Sequence, residues 1–163
     1  MDKVMMYRLY TILEEPKDAE YSRLLRTLSC FCRYALLVVR PTIPLSPYGR
    51  EVLQALEQDI VIQEERQEWP GTRLVGGSAI VYLIRLTHSA LETLCGKANR
   101  LYAWEQPHLP EDLCLMRNEA EPMLVSISHE RDAYLFLSED EWLAMSSALP
   151  NLRLRAEESR QQG

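Results

Sequence analysis

The chain has 163 residues, 47% of them hydrophobic and 26% charged, which suits one domain with its own core and excludes a disordered chain. A net charge of −6 argues against non-specific binding to nucleic acid, and no apolar run approaches the ~18–20 residues of a membrane span. No sequence period repeats, which excludes a solenoid.

In chain order, Val4–Leu13 is rich in β-formers and closes on Glu14-Glu15-Pro16, which predicts a first strand. Asp18 then stands where a helix N-cap belongs, with Tyr21, Leu24, Leu25, Leu28 and Cys32 on one stripe. Tyr34–Arg40 is a continuous apolar run stopped by Pro41, the pattern of a strand covered on both faces. Ser46-Pro47 offers a cap and a first helical position for a second helix, whose apolar side is Val52, Leu53, Leu56 and Ile60. Ile60–Glu68 is predicted to pair with Ala79–Thr87 as a hairpin, with turn chemistry from Trp69-Pro70-Gly71-Thr72 and Gly76-Gly77.

Ser89 is the predicted cap of a short helix through Leu91, Leu94 and Cys95, ended by Gly96. Leu101–Trp104, Leu113–Arg117, Met123–Ser128 and Ala133–Leu137 all read as short strands. Ser138 opens the last helix with a capping box completed by Glu141; its buried side would use Trp142, Met145 and Leu149, and Pro150 stops it. Strands and helices mix without regular alternation. The expected fold is therefore α+β, a single domain over residues 1–155 with a mostly antiparallel or mixed sheet packed with about four helices. AEESRQQG suggests a frayed tail over residues 156–163.

The N-terminal MDKVMMYRLY has neither a long apolar core nor a small-residue cleavage site, so no signal peptide is expected and the expected location is the cytoplasm. Cys30, Cys32, Cys95 and Cys114 should then be reduced thiols. Cys30 and Cys32 form C-x-C without a second pair at zinc-ligand spacing, and they read as buried small hydrophobes; no metal and no cofactor is expected.

Residues 126–132 gather Ser126, Ser128, His129, Glu130 and Asp132. A hydrolase would need a serine within reach of a histidine that a carboxylate orients, and no G-x-S-x-G elbow is present. A polar turn, with Ser128 and Asp132 satisfying local backbone donors, is the simpler reading. His88, His108 and His129 lie far apart in sequence, and Gly76-Gly77 lacks a P-loop lysine. Trp69 and Trp104 border loops, and burial against the sheet is the simpler reading for each; Trp104, beside Glu105 and the Pro107–Pro110 loop, is the one with the position of a binding anchor.

Charge is unevenly spread. Residues 105–141 hold ten acidic side chains against only Arg117 and Arg131, a balance of −8. Such a block can simply solubilise, or it can steer a basic partner toward the surface.

The stretch LPEDLCLMRNEAEPMLVSISHERDAYLFLSEDEW, with EWPGTRLVGG before it, resembles a group of small bacterial cytosolic proteins encoded beside polymorphic toxins, candidate immunity proteins. That group's pattern is Pro-Glu-Asp-Leu, a short strand, Val-Ser-Ile-Ser/Ala-His-Glu-Arg/Lys-Asp-Ala, and an acidic helix start. Pro110, Glu111, Asp112 and Leu113 match its first part; Ser126, His129, Glu130, Asp132 and Ala133 match its second. The resemblance implies a protein that binds a cognate toxin domain with a basic cleft and covers its active site, without catalysis and without nucleic acid or membrane as partner. The docking face would comprise Glu111, Asp112, Glu130, Asp132, Glu139, Asp140 and Glu141, with Trp104, His129 and Arg131 as anchors, on a monomer or homodimer. Two rival readings are an enzyme using His129 with Ser126 or Ser128, either a hydrolase or one that reverses a toxin's modification, and an adaptor or chaperone for an effector.

Overall fold

Alternating apolar residues sort this chain into layers. The computed structural model describes residues 6–158. Its elements are β1 (Arg8–Ile12), α1 (Ala19–Ser29), β2 (Tyr34–Val39), α2 (Pro47–Leu56), β3 (Ile60–Arg66), β4 (Glu68–Trp69), β5 (Thr72–Arg73), β6 (Ala79–Arg85), α3 (His88–Lys97), β7 (Glu111–Met116), β8 (Pro122–Ile127), β9 (Asp132–Leu137), α4 (Glu139–Ala148) and β10 (Leu154–Ala156). Eight strands form one sheet in the order β10-β1-β9-β8-β7-β2-β6-β3, every neighbouring pair antiparallel, and β4 and β5 form a small separate hairpin. The α+β class, the antiparallel sheet and the four helices agree with expectation.

The helices cover one face. Tyr21, Leu24, Leu25 and Leu28 of α1, Val52 and Leu56 of α2, Leu94 of α3 and Met145 of α4 meet Tyr10, Ile12, Leu37, Ile84, Leu115, Leu124 and Leu135 of the sheet. Each fully buried leucine contributes roughly 1.5–3 kcal/mol of transfer free energy. The opposite face carries the alternate residues, Leu36 and Val38, Val81 and Leu83, Cys114 and Met116, and Val125. The β4–β5 hairpin lies across the middle of that face. Trp69 is buried there, and Gly71, at φ +87, comes so close to Val125 and Ile127 that an added Cβ would sit 2.8 Å from Val125 Cγ1. β2 is therefore covered on both sides, as its unbroken apolar run requires.

Several local signals act as read. Ser46 caps α2 by accepting from Gly49 N, with Pro47 in the first turn, and Ser138 and Glu141 form the complete capping box of α4. β3 pairs with β6 from Ile60↔Ile84 to Arg66↔Ala79.

Others differ. Asp18 precedes α1 at φ 53, and its side chain makes no capping bond. Thr87, not Ser89, caps α3, and the helix runs through Gly96 to Lys97. Leu101–Ala103 is a 3-10 turn, because Trp104 is drawn into the core, where its indole N–H donates to the Tyr21 hydroxyl at 2.9 Å. Cys32 is buried but follows the helix, and Cys30 is exposed. Trp142 is 37% exposed, since α4 buries Glu141 along with Met145 and Leu149. Chain expected to fray contributes instead to β10, an edge strand that ends at Ala156, and Glu157 N then donates to Leu9 O at 2.9 Å. Val4 and Met5 of the expected first strand, and residues 159–163 of the expected tail, lie outside the described residues.

Candidate protein-docking surface

The seven carboxylates of the expected docking face divide into three populations. The first is internal. All six residues of β7 are buried, including Glu111 and Asp112. Glu111 is satisfied by Arg40, whose Nε lies 2.7 Å away. Asp112, in the left-handed region at φ 58, accepts from Trp69 Nε1 at 3.0 Å through Oδ2 and from Ser128 N at 3.0 Å through Oδ1. Burial pushes the Asp112 carboxyl above its ordinary value, while those two hydrogen bonds and the charges of His129 and Arg40 oppose the rise.

Glu141 is also internal. It holds Arg117 with both carboxylate oxygens, at 2.6 and 2.7 Å, and accepts from Ser138 N at 2.8 Å. Burial would raise its carboxyl, but the Arg117 and Ser138 hydrogen bonds outweigh that and leave it below the usual glutamate value. Arg117 further donates to Phe136 O at 2.8 Å and sits over the Tyr7 ring. Glu111, Asp112 and Glu141 are thus spent on internal contacts, and Trp104 is fully buried. These four expected partner-binding residues do not reach the surface. Sequence alone suggested otherwise, because a buried carboxylate needs a distant partner such as Arg40 or Trp69 that local spacing does not reveal.

The second population is the turn between β8 and β9. His129, Glu130 and Arg131 are exposed there, with Arg131 at φ 53 and Asp132 half-buried behind it. His129 Nε2 lies 3.8 Å from Glu130. The two serines face inward: Ser126 is fully buried and donates to Leu113 O at 2.6 Å, and Ser128 is buried. No serine–histidine pair of the kind a hydrolase needs is formed by these residues. The third population, Glu139 and Asp140, is exposed at the start of α4, at the far end of β9 from Asp132. Seven residues of extended chain span on the order of 20 Å, so the two exposed groups do not form one continuous face.

The 128–132 turn is instead joined by residues that sequence reasoning passed over. On the sheet face opposite the helices, beyond the reach of the β4–β5 hairpin, Leu9, Thr11, Asp132, Tyr134, Arg155, Glu157 and Glu158 line a shallow hollow of ≈ 510 Å³. Tyr134 donates to Asp132, and this bond, with partial burial and the nearby Asp132, Glu130 and Glu157 charges, pushes the phenol up to about 12. Thr11 Oγ1 donates to Glu157 at 2.6 Å, and Arg155 Nε lies 3.1 Å from the same carboxylate oxygen. The available signal was the Leu-Arg-Leu-Arg-Ala alternation at 152–156, which has strand period.

Among the described residues, no group of three or more His, Cys, Asp or Glu is placed to hold a metal ion, and no helix is long and apolar enough to cross a membrane. No family model matches the chain, and no curated protein or solved structure does either. Fold and site together define an α+β protein whose candidate site is a shallow, aromatic-centred acidic surface.

Proposed function

We propose that this protein binds and neutralises a cognate bacterial toxin domain in the cytoplasm, docking through the 128–132 turn and the uncovered strip of sheet over β9, β1 and β10. One observation carries the reading: Asp132, Tyr134, Glu157 and Glu158 line one hollow beside the exposed Glu130, with Arg155 on the same wall and Arg131 in the turn as opposing charges. A basic toxin cleft is the complement of such a surface. Electrostatic steering raises association rates by roughly 10–10³ fold, and a half-buried tyrosine at the centre of a polar rim suits an interface hot spot. Binding alone accounts for these features, without cofactor or catalysis. The resemblance of the 110–113 and 126–133 stretches to candidate immunity proteins supports the same reading.

The test is co-expression with the toxin encoded beside the gene. Cells should survive with the native chain and die with Glu130→Lys/Asp132→Lys, whose association should be weakened most at low salt. Death of cells carrying the native chain would end the proposal. Full protection by the double variant would remove the turn from the interface.

A further inference from the structure

We propose that a second copy of this chain occupies the groove between α4 and the β1–β10 edge, with two molecules packed across a two-fold axis. The groove, ≈ 620 Å³, lies on the helix-side face of these strands, opposite the acidic hollow: Arg8, Leu154 and Ala156 line it, whereas Leu9, Thr11 and Arg155 line the other. This inference therefore stands independently of the proposed toxin-binding surface.

Three observations select the occupant. First, the groove gathers apolar side chains left in water. Met6 is 85% exposed and Trp142 37% exposed on its walls, and Leu143, next along α4, is 55% exposed. Single exposed apolar residues are ordinary; a concave site rimmed by polar groups and holding a tryptophan marks an interaction surface. Second, Arg8 and Glu139 stand on the groove walls, and neither joins an ion pair among the described residues. A two-fold interface brings the same patch against itself, so each residue meets its complement twice. Arg8 of each copy then faces Glu139 of the other, and the two unpaired charges become two ion pairs. Third, β10 forms part of the wall and is the edge of the sheet among the described residues, where a further strand could pair.

Sedimentation of the full chain from about 1 to 100 µM, a range that spans moderate affinities, tests this. The native chain should form dimers, and Trp142→Ser should be monomeric. Arg8→Glu and Glu139→Lys should each weaken the dimer about tenfold, while the double variant, with the charges exchanged, should return to within about threefold of native. Trp142, Arg8 and Glu139 are surface residues, and circular dichroism of each variant confirms folding. A native chain that stays monomeric overturns the proposal. So does a dimer indifferent to Trp142→Ser, or a double variant no tighter than the singles.

Discussion

Replacing Glu141 should unfold far more of the stability than replacing either acidic neighbour. Glu141 and Arg117 form a two-pronged pair with side chains only 6% and 10% exposed, and Glu141 also closes the α4 capping box. In Glu141→Ala the guanidinium stays buried with Phe136 O and the Tyr7 ring as its remaining partners. Breaking a buried pair by removing one member costs about 3–5 kcal/mol. Because both partners retain some exposure, the lower end applies, and loss of the cap contact adds about 0.5–1 kcal/mol. The expected total is roughly 4 kcal/mol, equivalent to about 8–16 °C in Tm for a chain of this length. Glu139→Ala and Asp140→Ala, both exposed, should stay within about 0.5 kcal/mol. Urea unfolding followed by circular dichroism, with the slope unchanged, measures all three. Acid titration adds a second readout. A carboxyl depressed in the folded state contributes fully above its unfolded value of about 4.3 and loses that contribution as pH falls through the lower folded value. Glu141→Gln should therefore flatten the acid limb of the stability curve. If Glu141→Ala costs no more than Asp140→Ala, the division of the acidic block into internal and surface groups is wrong.

Other outcomes follow from the hairpin over the open face. Gly71→Ala should cost roughly 2–5 kcal/mol, combining about 1–2 for the left-handed backbone with about 1–3 for overpacking against Val125 and Ile127. Gly77→Ala, at φ +73 with nothing within 4 Å, should cost only the backbone part, about 1–2 kcal/mol; equal losses by thermal melting would refute the close approach. Trp69→Phe keeps an aromatic side chain but removes the donor to Asp112 along with part of the buried ring volume, and should destabilise by at least about 1–3 kcal/mol at neutral pH, the donor's share being the part that varies with pH. Asp112 is raised in the folded state, so protonation favours the fold as pH falls through that raised value, and the deficit of Trp69→Phe should shrink there. A deficit independent of pH would mean that the indole N–H does not stabilise the carboxylate.

Legibility in the sequence followed the range of the interactions. Ser46-Pro47, the Ser138–Glu141 box and the unbroken apolar run of β2 act through neighbours a few residues away, and each formed where it was read. The β3–β6 hairpin was legible because turn residues flank two strand-like runs. Trp104 was misplaced because its partner, the Tyr21 hydroxyl, is 83 residues distant. Trp142 was misassigned because Arg117 turns Glu141 inward, shifting the buried stripe of α4 by one residue. The surface site was half legible. The 128–132 turn stood out, but its companions Glu157 and Glu158 arrive only through the pairing of β10 with β1.

That pairing sets an order of assembly. β1 leaves the ribosome before any other described strand, yet its two neighbours in the sheet are β9 and β10, and Thr11 reaches a carboxylate 146 residues onward. Translation at about 5–20 residues per second leaves β1 without either companion for on the order of 10 s. Meanwhile β2, β3 and β6 can already combine. The newborn chain thus carries β1 without its sheet neighbours until the final third appears, and a nascent-chain chaperone has that interval in which to shelter it.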